Sequence, residues 1–257
     1  APQNLDTKLA TARAELDELD RRYDALLADC AAILQRPAPN WHIQQYAFES
    51  RFAHFVMQGD WESLSRELLH HPDPVIRIAT AQLAIGIGMG DAPVYDILHA
   101  TGDARRFLEA QMRKKARKAE LVAVLLDLAL KDSGQTLKYD HGYGDSHYDS
   151  WPIQILALYD LVVSASHGAN LLDAIPALVG LLSPEKRLNY QVCWVLRTIV
   201  EKKKKSASPI LEALEKLRIT RKAPKRIFDD DSVKQLIEEC QKRLPQSGET
   251  ADIAKSL

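Results

Sequence analysis

Long apolar runs are absent from this chain. No stretch approaches the roughly 18 uncharged apolar residues that a membrane-spanning helix needs, so no span is expected. The opening residues, APQNLDTKLATARAELDELD, contain no apolar core of the kind a secretory signal peptide carries, and none is expected there. Cysteine is scarce and odd in number: Cys30, Cys193 and Cys240. No CxxC pair and no Cys/His spacing accompanies them, so neither a disulfide framework nor a structural zinc site is expected. A reducing cytoplasm is the simplest compartment for such a chain. Charge of one sign is also missing. The 34 basic and 35 acidic residues leave a net charge of -1, which argues against a protein dominated by nucleic-acid affinity. Runs of alternating β-branched residues are lacking too, and an all-α fold follows.

What remains is an ordinary globular balance over 257 residues, 46% hydrophobic and 27% charged, enough for one large domain or two small ones. The first segment has a clean period. Leu5, Leu9, Ala12, Leu16, Leu19, Tyr23, Leu26, Cys30 and Ile33 alternate in steps of four and three, a heptad seam. The helix should stop before Pro37 and Pro39. A second helix starts near Asn40 with Trp41, Gln45, Phe48, Phe52 and Phe55 in the same step pattern. Together they predict an antiparallel hairpin joined by the RPAPN turn, over residues 1–58. The first helix is about twice the length of the second and, at about 1.5 Å per residue, reaches roughly 50 Å. Part of its seam must find another surface: later helices of the same chain, a second copy in a homodimer, or a partner helix.

Residues 59–245 read as a series of helices of ten to twenty residues with short breaks, which makes sequence neighbours antiparallel in space. The tail, 246–257, has little to bury and should fray. Two stretches in this series repeat one design. Asp73, Pro74, Val75, Ile76 and Arg77 are followed by Ala79, Leu83 and Gly86; Ser183, Pro184, Glu185, Lys186 and Arg187 are followed by Cys193, Leu196 and Ile199. Each follows a shorter amphipathic segment, WESLSRELLHH or LLDAIPALVGLL. Asp or Ser before Pro predicts a helix cap with Pro in the first turn. Ala79, Ala81 and Ala84 allow close helix packing. Pro176 should kink its helix, and the early Arg should reach an acidic group on the preceding unit.

This design resembles the HEAT and PBS-lyase-like helical repeat family. The resemblance covers residues 60–220 loosely and is carried by those two units. It implies a HEAT-like α-solenoid behind the N-terminal hairpin, with terminal units capping the stack. It also implies a non-enzymatic protein-binding module: an adaptor, a scaffold, or an inhibitor such as a bacterial immunity protein. The alternative it implies is a nucleic-acid enzyme resembling the alkylated-base DNA glycosylases, although no catalytic residue of that family can be placed on this chain. No cofactor is expected.

Two segments are candidate contact sites. Residues 133–151 form a long irregular stretch carrying Tyr139, Asp140, His141, Tyr143, Asp145, His147, Tyr148, Asp149 and Trp151. Its Tyr, Ser, Gly and Asp content is that of a protein-binding loop. Asp140, His141, Asp145 and His147 could hold a divalent ion, but no recognised ligand spacing supports one, so no metal is assigned. The second is a basic segment read as one helix, with Arg106, Arg113, Lys114, Arg117 and Lys118 on an exposed face. Such a face meets either solvent or a phosphate backbone. Stacking aromatics are not interleaved with it, which weakens a single-strand nucleic-acid reading. The glycines at 86, 88 and 90 lack the spacing of a dinucleotide fingerprint and read as a helix end. Asp229, Asp230 and Asp231 read as a cap for the last helix.

Overall fold

The computed structural model describes residues 2–36, 41–89, 102–139, 149–185, 187–220 and 224–244. The tail at 246–257 lies outside these. The chain is all-α, with twelve α-helices and one two-stranded ribbon among the described residues. It divides into two units, Ala1–Leu64 and Ser65–Leu257.

The first unit begins with α1 (Pro2–Leu34) and α2 (Trp41–Gln58). Pro2 stands at the first helical position, where a missing N–H costs nothing, and no Gly or Pro interrupts the next 32 residues of α1. The two helices are antiparallel. Gln44, early in α2, donates to the Arg36 carbonyl at 3.0 Å, while His54, late in α2, meets Tyr23. Their shared core is Leu27, Cys30 and Leu34 of α1 with Phe48, Phe52 and Phe55 of α2, all buried. Gly59 ends α2 at φ 69°, a conformation that favours glycine. There the Asp60 N–H reaches back to the Phe55 carbonyl at 2.9 Å. The Asp60 side chain then caps α3 (Trp61–Leu64) by accepting from the Ser63 N–H at 3.0 Å.

The second unit opens with a π turn at Ser65–Leu69, followed by α4 (Pro74–Met89), α5 (Gly102–Arg113) and α6 (Lys115–Leu130). The ribbon comes next, β1 (Thr136–Tyr139) paired antiparallel with β2 (Asp149–Pro152). Then follow α7 (Ile153–Ser166), α8 (Ile175–Gly180), α9 (Asn189–Lys202), α10 (Ala207–Thr220), α11 (Pro224–Phe228) and α12 (Asp231–Arg243). The centre is α7, which packs on α4, α6 and α9. Its sequence IQILALYDLVVSAS is apolar on nearly every side, as a helix enclosed by neighbours must be. Beyond it, α9 packs on α8 and α12, and α10 packs on α8 and α12.

Several local expectations meet their outcome here. Asp73 does cap α4, accepting from the Val75 N–H at 2.9 Å. Ala79, Ala81 and Ala84 are buried. Arg77, however, pairs at 2.9 Å with Asp127 of α6, a later helix rather than an earlier one. At the second unit α9 starts at Asn189, not at Pro184. The buried Asn189 side chain accepts from the Ser183 N–H and donates to the Ser183 carbonyl, both at 3.0 Å. Ser183 is therefore held by the helix instead of capping it. Pro176 lies in the first turn of α8 and starts that helix rather than kinking it. The segment read as irregular at 133–151 is paired at its base, because Leu137 is buried and draws β1 onto the helices.

Candidate functional site

The second unit presents an aromatic cluster built from α7 and α9. Tyr159 projects from α7 and is 52% exposed although most of that helix is buried. Tyr190 and Trp194 are one turn apart on α9, and Tyr190 is 55% exposed. The Tyr159 and Trp194 rings meet edge-to-face with centroids 5.4 Å apart, and Tyr190 leans on Trp194 at 6.1 Å. Aromatic quadrupoles favour such tilted contacts, so the rings brace one another. Trp194 itself is half-buried. One turn further along α9, Arg197 donates to the Gln235 side chain of α12 at 3.0 Å.

Next to Tyr159 in sequence is Asp160, a buried carboxyl. Its Oδ2 has no hydrogen-bond partner, nor does the buried Ser164 Oγ one turn on. Burial pushes the Asp160 carboxyl well above the usual carboxylate range. The Gln191 Oε1 on α9 is likewise buried without a hydrogen-bond partner. The region is therefore aromatic at the surface, and the neighbouring Asp160 of α7 is a buried carboxyl raised by its burial.

The first unit presents a different surface. Leu9, Leu16, Leu19, Tyr23 and Leu26 of α1 are between 45% and 59% exposed. At about 1.5 Å per residue α1 is roughly 50 Å long and α2 roughly 27 Å. The Tyr23 hydroxyl of α1 lies 3.3 Å from His54 Nδ1 of α2.

The chain matches no family model, and comparison with curated proteins and with solved structures finds no significant similarity. The site thus has to be read from its own residues.

Of the residues in the 133–151 segment, Asp140, His141, Tyr143, Asp145, His147 and Tyr148 lie outside the described residues. Tyr139 closes β1 opposite Asp149 of β2. Trp151 pairs with Leu137 across the ribbon and is 45% exposed. Among the described residues no three His, Cys, Asp or Glu side chains gather into a metal cluster.

The basic residues do not share one helix face. The chain is extended at Lys114, with φ -77° and ψ 123°, and this separates α5 from α6. Arg113 and Lys114 therefore do not stack over Arg117 and Lys118. Each cation also has a near neighbour. Arg106 pairs with Asp103, and Arg113 lies 4.0 Å from Glu109. Lys114 donates to Gln111 at 3.0 Å, and Arg117 meets Glu120 at 3.3 Å. Lys118 donates to the His167 carbonyl at 3.0 Å, a cation at the C-terminal end of α7 where the helix dipole favours it.

Tyr159, Tyr190, Trp194 and Asp160 went unnoticed in the sequence. For Asp160 a signal existed: it is the one charged residue in the fourteen of α7. The aromatic cluster left no such mark, because Tyr159 lies on a different helix from Tyr190 and Trp194, 31 and 35 residues before them in the chain.

Proposed function

We propose that the chain is a non-enzymatic protein-binding module, and that its second unit is a HEAT-like helical scaffold presenting the Tyr159–Trp194–Tyr190 cluster to a protein partner. The carrying observation is that cluster: two half-exposed tyrosines braced against one tryptophan. Trp and Tyr are the residues that dominate binding energy at protein interfaces. They offer large apolar area and a polar tip while losing little side-chain entropy, and here ring contacts have already fixed them. The 133–151 segment, which leads into α7 through β2, is a second proposed contact element by its aromatic and acidic composition.

The scaffold reading is supported by the packing order. Helices α4, α7, α9 and α12 follow one another, each packed on the next, while α6, α8 and α10 pack against members of that row. Nearest-neighbour stacking of this kind is how helical repeats bury their apolar faces. The test is the double substitution Tyr159→Ala/Tyr190→Ala. Both side chains are exposed, so helicity should hold while partner binding falls by a hundredfold or so, as for paired interface anchors. Unchanged binding would remove the cluster from the proposed interface.

A further inference from the structure

We infer that the exposed seam of α1 is a self-association surface, and that two copies pair antiparallel in one specific register. Among the described side chains the exposed seam includes Leu9, Leu16, Leu19, Tyr23 and Leu26, a stretch whose midpoint lies between Asp17 and Glu18. On its C-terminal side α2 reaches Tyr23 through His54, leaving Tyr23 45% exposed, and beyond Leu26 the residues Leu27, Cys30 and Leu34 are buried. A twofold axis through that centre sets Leu9 against Leu26 of the second copy, Ala12 against Tyr23, and Leu16 against Leu19. Each apolar layer then pairs two leucines, or the smallest seam residue with the largest.

The flanking charges select the same register. In antiparallel helices the residues beside the seam face their counterparts across it. Here Lys8 faces Asp29 of the second copy, Arg13 faces Asp20, and Glu15 faces Arg22. The twofold repeats each pair, so six contacts form, all of opposite sign. All six residues are exposed in the single chain. The pairing of Arg21 with Glu18 at 2.8 Å lies on the far side of α1 and leaves them available.

The adjacent antiparallel registers and the in-register parallel pair fail on sign. Sliding one copy by a heptad in one direction sets Arg13 and Glu15 each against itself and Lys8 against Arg22. Sliding it the other way sets Asp20 and Arg22 each against itself. A parallel pair in register sets Lys8 against Arg13 and Glu15 against Asp20. A two-heptad slide toward the N-termini restores the signs but leaves Tyr23 and Leu26 outside the overlap. The register that pairs the seam layers from Leu9 to Leu26 is thus also one that sets the flanking charges opposite one another, although the two criteria involve different side chains.

The experiment is sedimentation equilibrium of the full chain, of Glu15→Arg, and of Glu15→Arg/Arg22→Glu. The native chain should be a dimer. Glu15→Arg turns two attractive contacts into two repulsive ones and should raise the dimer Kd about tenfold. The double variant restores both contacts and should return the Kd to within about threefold of native. Both positions are exposed, and far-UV circular dichroism checks that each variant is folded. A native chain monomeric at every concentration overturns the inference. So does a dimer that ignores Glu15→Arg, or one that the second substitution fails to rescue.

Discussion

Tyr159 of α7 and Trp194 of α9 meet edge-on, with ring centroids 5.4 Å apart. This contact joins the two helices at the surface and orders the side chains proposed to meet a partner. A double-mutant cycle with Tyr159→Ala and Trp194→Ala should give a coupling of about 1 kcal/mol in urea unfolding, the size found for tilted aromatic pairs. A coupling near zero would mean that the rings are neighbours without mutual support.

The ion pair between Arg77 and Asp127 ties α4 to α6. The Asp127 carboxyl is held below the usual range, first by the hydrogen bond from Lys131 and then by Arg77. A carboxyl lowered in the folded state contributes stability above its unfolded value near 3.9 and loses it as pH falls through the folded value. The pair is partly exposed, so solvent screening limits its worth. Arg77→Ala should cost about 1 kcal/mol at pH 7 and less at pH 2, read from urea midpoints at the two pH values.

Asp160 behaves in the opposite sense. Burial raises its carboxyl, so the folded chain keeps a proton that the unfolded chain gives up. Between the unfolded and folded values the native state binds more protons, and stability falls as pH rises. Asp160→Asn should therefore flatten this limb. The variant should be more stable than the native protein at pH 8, and the advantage should shrink toward pH 4. Parallel stability curves for the two proteins would show that the carboxyl has a partner in solution.

Asn189 is the pin of the turn before α9. It is buried, engages both backbone groups of Ser183, and reaches Asp230, the cap of α12, at 3.4 Å. Asn189→Ala removes the partner of two part-buried backbone groups at once. The cost should be about 2–3 kcal/mol, read as a lowered urea midpoint. A loss under about 0.5 kcal/mol would show that the turn finds other partners.

Much of the architecture was legible for local reasons. A heptad spacing and a following pair of prolines are enough to write α1 and α2, and Asp73-Pro74 announces the start of α4. Other features depend on partners distant in sequence. Ser183-Pro184 carries the same local signal as Asp73-Pro74, yet Asn189 wins the Ser183 backbone and moves the helix start. The break at Lys114 falls among Gln, Met, Arg and Lys, which are good helix formers, with no Gly or Pro to mark it. The ribbon is four residues to a strand and, among its described side chains, Leu137 is the buried one. The Tyr159–Trp194 contact depends on how α7 crosses α9, and that crossing is set by packing, not by either helix's own pattern.

Affinity capture from lysate of the source cells bears most directly on the binding-module reading. Native protein and Tyr159→Ala/Tyr190→Ala are compared at low and at moderate salt, with mass spectrometry of what each retains. The expected result is one stoichiometric protein, held by the native chain through the salt increase and missing from the variant. Retention of the same protein by both chains, or of nucleic acid alone that is lost as salt rises, would contradict it.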